Sequence, residues 1–261
     1  MKIIIKFFAI ALLISFVACK KDAKDPEPEP TPVTPAPTTG TLKLEFEHMV
    51  DTLPLDFVQS YVNANLDTFK ISTLKYYISN VVLTKTDNST FVESNSYHLV
   101  DVASPVSTIL NIANVPVGSY KSLSFTLGVD SARNNSGAQT GDLDPAKGMF
   151  WTWTSGYIMF KLEGSSPQSG STGKGLTYHI GGFGGVNKTQ RNFNFNFAST
   201  TSNITGSNSP MIHLAVDINE FFKNPTTINV ATQFFQMSTG VNAKTYADNY
   251  ADMISFEHVH N

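Results

Sequence analysis

The chain has 261 residues, with 18 Lys and Arg against 21 Asp and Glu, a net charge of −3 and a single cysteine. A weakly acidic balance without a basic stripe excludes the electrostatic footprint of a nucleic-acid binder. One cysteine allows no internal disulfide, so the fold must rest on its core.

Residues 1–18 read as a signal peptide: Lys2 and Lys6 are the positive start, 7–17 an apolar run too short to span a membrane, and Ala18 a small residue at the processing point. Phe16, Val17 and Ala18 before Cys19 resemble the lipobox of bacterial lipoproteins, which predicts a lipidated Cys19. Ordinary cleavage beside an incidental cysteine is the plainer alternative. Residues 19–40 form a linker in which alternating prolines favour an extended chain, reaching roughly 60 Å at about 3.1 Å per residue. The expected location is the outer membrane, on its periplasmic or surface side, with membrane contact through the lipid alone. No later run approaches the length of a transmembrane helix.

Residues 41–261 are enough for one sizeable core. In 41–49, Leu42, Leu44, Phe46 and His48 share one strand face and Lys43, Glu45 and Glu47 the other. Further strands are predicted at 67–86, 91–102, 121–129, 149–162, 176–180, 191–198 and 211–218. Within 149–162 the pair Ser155 and Gly156 suggests a bulge. Residues 130–144 lack an apolar period and read as a long loop, a setting that is often functional. Short helices are expected at 217–222 and 242–253. Many short strands with turn residues between them predict an all-β fold: a two-sheet antiparallel β-sandwich with long loops and one or two short helices.

Both tryptophans, Trp151 and Trp153, lie two residues apart and so on one strand face. They can be core, a platform for a sugar together with Phe150 and Tyr157, or chemically modified. At the end of the chain, Phe256, His258 and His260 alternate as Phe46 and His48 do. This predicts that the terminal strands lie close together and present three imidazoles towards one pocket; a frayed C-terminal tail with exposed histidines is the plainer alternative. Two histidines at i and i+2 offer a metal two nitrogens from one rigid element. His179, before a Gly-Gly-Phe-Gly-Gly run, is either a further ligand or a turn residue. His213 faces away from Leu214, Val216 and Ile218 and reads as surface or edge, and His98 as hydrogen-bonded core. Asp130, Asn134, Asn135, Asp142 and Asp144 could hold a structural calcium, although their spacing is not that of an EF-hand and a plain acidic loop is the competing reading. No nucleophile elbow, zincin motif or phosphate loop is present, so the chain does not read as an enzyme.

The segments Leu74-Lys-Tyr-Tyr-Ile-Ser-Asn80, Gly141-Asp-Leu-Asp-Pro145, Gly148-Met-Phe-Trp-Thr-Trp-Thr-Ser-Gly-Tyr157, Lys161-Leu-Glu-Gly164, His179-Ile-Gly-Gly182 and His258-Val-His260 resemble the MbnP-like family of periplasmic and lipoprotein copper-binding proteins. The resemblance implies a β-sandwich that acts with a di-haem partner of the cytochrome-c-peroxidase superfamily. It also implies that one tryptophan is oxidised to kynurenine and that copper then binds there with histidines. Trp151 and Trp153 are the oxidation candidates, and His48, His179, His258 and His260 the ligand candidates. The chain would then be the substrate of its partner rather than a catalyst. A glycan-binding surface lipoprotein is the alternative reading.

Overall fold

The computed structural model describes residues 38–152 and 154–261. The signal peptide, Cys19, the linker up to residue 37 and Trp153 lie outside the described residues. In chain order the strands are β1 (Thr39–Val50), β2 (Leu53–Pro54), β3 (Tyr61–Val62), β4 (Thr68–Lys85), β5 (Thr90–Val92), β6 (Tyr97–Asp101), β7 (Ile109–Pro116) and β8 (Gly118–Leu127). A short helix, α1 (Ser131–Asn135), precedes β9 (Phe150–Thr152), β10 (Gly156–Ser165), β11 (Gly175–Gly181), β12 (Arg191–Asn196), β13 (Ser202–Ile204), β14 (Met211–Asp217) and β15 (Phe235–Gln236). Helix α2 (Val241–Asn249) and β16 (Ile254–His260) follow.

These strands form two sheets, as expected for an all-β, sandwich-like fold. The smaller has five strands in the order β16-β14-β1-β2, with β7 also paired to β1. The larger has eleven, with the path β12-β8-β4-β10-β11-β15. Two pairings depart from the expected antiparallel pattern. β1 and β14 run parallel from Lys43 opposite Met211 to Met49 opposite Asp217, and β11 and β15 are also parallel. A parallel pair cannot be closed by a hairpin. Here most of the larger sheet is threaded between β1 and β14.

The core follows from period-two patterning. Leu42, Leu44 and Phe46 of β1 and Ile212, Leu214 and Val216 of β14 are buried on the inner face. Phe46 meets Tyr76 edge-on at 6.1 Å and Phe125 at 5.8 Å, which joins the two sheets. Each such buried side chain stabilises the fold by about 1.5–3 kcal/mol. Helix α2, which overlaps the predicted 242–253, seals one margin by stacking Tyr246 on Phe221 at 5.3 Å. The helix expected at 217–222 is a 3-10 turn, Ile218–Phe222.

The predicted loop at 130–144 is ordered by its own polar side chains. Asp130 caps α1 by accepting from the Arg133 N–H at 2.9 Å. Asn134 is fully buried; its Nδ2 donates to the carbonyls of Val129 and Asp130, and its Oδ1 accepts from the Tyr157 N–H at 2.8 Å. The Asn134 Oδ1 approach explains Gly156, which has φ +72°: a Cβ there would sit 2.3 Å from that oxygen. Gly156 also marks the register shift in the β9–β10 pairing, where a bulge was expected.

Candidate metal centre

The outer face of the smaller sheet collects the side chains that its hydrophobic inner face excludes. Alternation places Glu45 and Glu47 of β1 and His213 of β14 outward, opposite Phe46, Ile212 and Leu214. Pairing aligns them: Glu45 stands opposite His213 across the parallel pair, and His213 opposite His258 across β14–β16. The register of β16 shifts between these rows, because Leu214 faces Phe256 while His213 faces His258. Glu257 is therefore the extra residue of a bulge, and beyond it the strand changes phase. Phe256 packs inward on Phe197 at 5.1 Å, whereas His258 and His260 turn outward.

Three imidazoles result. The His213 and His258 rings stack at 4.2 Å with 9° between planes. His260 stands edge-on to both, with centroids 5.2 Å from each. One nitrogen of each ring lies within 4.8 Å of one nitrogen of the other two. On the other side, His213 Nδ1 is 2.7 Å from Glu47 Oε1 and 3.1 Å from Glu45 Oε2. His213 is 9 % exposed, and its Nε2 is buried without a hydrogen-bond partner. An unpartnered buried nitrogen is costly unless something else occupies it. Three imidazole donors suit zinc, copper, nickel or iron rather than calcium or magnesium. A carboxylate on the far ring nitrogen is the usual support for a ligating histidine, since it fixes the tautomer and raises basicity.

The expected convergence of His48 with His258 and His260 does not occur. His48 points from β1 to the inner face, where its Nε2 lies 2.9 Å from the Tyr76 hydroxyl. Burial holds its pKa down to about 4, so it is neutral at neutral pH. The bulge at Glu257 is the cause: simple alternation keeps His258 in phase with Phe256, and one extra residue reverses it. His213, read as surface or edge, is instead the buried middle of the cluster. Its position beside two outward glutamates was the available signal, but it acquires meaning only through the non-local β1–β14 pairing.

His179 lies on the larger sheet. Its Nε2 is 2.7 Å from Glu163 Oε1, its Nδ1 is buried and unpartnered, and burial lowers its pKa against the opposing carboxylate. Two residues further along β11, the indole of Trp151 covers Gly181 so closely that a Cβ there would lie 2.6 Å from Trp151 Cζ3. Trp151 packs on a second apolar cluster with Tyr157 and Met149, and its Nε1–H is buried without an acceptor. Tyr157 is fully buried, so the aromatic surface considered for a sugar lacks that ring. His98 pairs with Glu93 at 2.9 Å.

Nothing supports the calcium site. Asp130 serves Tyr97 and α1, Asp142 accepts from Leu99 N–H and Lys147, and Asp144 caps a 3-10 turn through the Ala146 N–H. These carboxylates hold the loop itself together. Among the described residues no helix is long and apolar enough to cross a membrane.

Comparison with known proteins agrees with this architecture. No curated protein matches the chain. Among solved structures, MbnP from Methylosinus trichosporium superimposes with a TM-score of 0.52 at 13 % identity, covering 72 % of this chain and 79 % of that one, which is a likeness of fold. The family profile described as MbnP matches residues 39–243, a span that includes His48, Trp151, His179 and His213 and stops short of His258 and His260. The chain belongs to the MbnP family.

Proposed function

We propose that this protein is a copper-binding lipoprotein of the outer membrane, held through Cys19, whose metal rests on His213, His258 and His260. The observation that carries this reading is the cluster of three imidazoles, one of which, His213, keeps a buried Nε2 without a hydrogen-bond partner. Family membership favours copper over zinc, since imidazole accepts either. Bound copper would supply a redox-active cation. The chain's own residues do the rest: β14 and β16 fix the spacing of the donors, and the carboxylates orient His213.

Tryptophan oxidation is the second part of the proposal. An indole nitrogen is a donor only and cannot ligate a metal, whereas ring opening to kynurenine yields an aniline nitrogen beside a carbonyl. A di-haem partner would carry out this oxidation on Trp151 or Trp153. At Trp151 the ring lies against Gly181, two residues along β11 from His179, and both the indole nitrogen and His179 Nδ1 are buried without a partner.

The test is copper content and peptide mass of protein from its native host, compared with protein made without the partner. The reading expects bound copper that is lost in His213→Ala and His258→Ala. It also expects the peptide holding Trp151 and Trp153 to gain one oxygen and lose one carbon only when the partner is present. Copper-free protein from the host would overturn the metal assignment, and unmodified tryptophans would overturn the oxidation.

A further inference from the structure

His213 is supplied unequally at its two nitrogens. Nδ1 can offer a single proton, yet two carboxylates close on it, Glu47 at 2.7 Å and Glu45 at 3.1 Å. Among the described residues neither glutamate forms an ion pair with a lysine or arginine, so two negative charges share one donor. Nε2 has the opposite problem, being buried with no partner at all. If the carboxylates only oriented the ring, one would suffice. The second adds like-charge repulsion on one strand face, and among the described residues no lysine or arginine, Lys43 of the same face included, forms an ion pair with either carboxylate.

We propose that His213 is shared by two cations. On one side, Nε2 joins His258 and His260 in the nitrogen-rich site described above, and the inference rests on that reading. On the other side, Nδ1 joins Glu45 and Glu47 in a mixed nitrogen and oxygen site. The donor atoms of Glu45, Glu47 and His213 lie within 4.8 Å of one another, as those of the three histidines do. The donor sets differ in character: imidazole alone on one side, carboxylate oxygens with one imidazole nitrogen on the other. The second set fits a divalent zinc or copper ion with water completing its coordination. Binding there releases the Nδ1 proton to solvent and leaves the ring as an imidazolate bridge. The two carboxylates then balance the added charge, which explains why both are present. Glu45 and Glu47 are partly exposed, so the second cation enters from solvent without disturbing the inner face.

The full chain is loaded with excess Cu(II), and bound metal and electron paramagnetic resonance intensity are measured together. Two copper ions per chain are expected, with an intensity well below that of two isolated ions because the imidazolate couples their spins. In Glu45→Gln/Glu47→Gln, binding falls to one ion per chain and the signal rises to that of one isolated ion. The variant's melting temperature without metal confirms that it folds. Zinc added to protein carrying one copper should occupy the second site and leave the copper signal intact. One uncoupled copper per chain in both the native chain and the double variant would overturn the shared site while leaving the imidazole centre standing. No copper in either would overturn both.

Discussion

His213 and His258, on adjacent antiparallel strands, stack ring on ring at 4.2 Å and 9°. Two of the three imidazoles belong to β16, an edge strand, and one to β14, which is held on both sides. A cation bound by all three would therefore tie an edge strand to the interior of its sheet.

This arrangement predicts a local change in stability on metal binding. A ligand at about 100 times its dissociation constant stabilises the state it binds by about 2.7 kcal/mol. Because His258 and His260 sit on β16, opening of that strand should become roughly 100-fold rarer at that concentration. Hydrogen exchange at the amides of Ile254–His260 should slow accordingly in the Cu-loaded protein. The amides of β12, on the larger sheet, should change little. Uniform slowing across both sheets would contradict the prediction.

The bulge gives a second prediction. Glu257 is the unpaired residue between the Phe256 and His258 rows. Deleting it leaves Phe256 opposite Leu214 and His258 opposite His213, now in regular alternation. Copper affinity should stay within about threefold, a cost below about 1 kcal/mol. An alanine inserted after Glu257 should weaken binding much more. Equal losses from deletion and insertion, measured by competition with a chelator, would argue against the bulge as the phase-setting element.

His48 predicts an acid-side loss of stability. Its pKa is about 4 in the folded protein against 6.5 for the free side chain, with desolvation as the leading cause. Between these values the unfolded chain binds the proton and the folded one does not. Stability therefore rises with pH through this window and is lost as pH falls from 6.5 towards 4, by up to about 3 kcal/mol. His48→Gln, which can still bond the Tyr76 hydroxyl, should remove this component. Urea midpoints at pH 7 and pH 4.5 should thus differ less for the variant than for the native chain.

Gly181 predicts where Trp151 can be displaced. An alanine there would place its Cβ 2.6 Å from Trp151 Cζ3. Overpacking of this kind costs about 1–3 kcal/mol. With Trp153 replaced by Phe, Gly181→Ala should shift the emission of Trp151 to longer wavelength as the ring loses its bed. An unshifted spectrum would mean that the indole does not depend on Gly181.

Much of the fold could be read from alternation, because a sheet with one buried face must repeat its apolar residues every second position. Leu42, Leu44 and Phe46 declare β1 in this way, and Phe193 and Phe195 declare β12. The limits appear where alternation is interrupted or where a partner is remote. Residues 130–144 have no apolar period because their order comes from polar groups such as Asn134, buried by bonds to Val129, Asp130 and Tyr157.

The sequence by itself determined most of the longer strands, the outward glutamates of β1, the pairing of His258 with His260 on one strand, and the aromatic run around Trp151. Only the tertiary structure decided which histidines meet. That choice depended on a parallel pairing between segments more than 160 residues apart and on one extra residue, Glu257, in β16. Neither leaves a local pattern. A cross-strand partner is chosen by the packing of whole faces, and a bulge reverses every side chain beyond it without altering composition or apolar content. Hence His48, in phase with Phe46, remains inside on Tyr76, while His213 stands outside between two glutamates and two imidazoles.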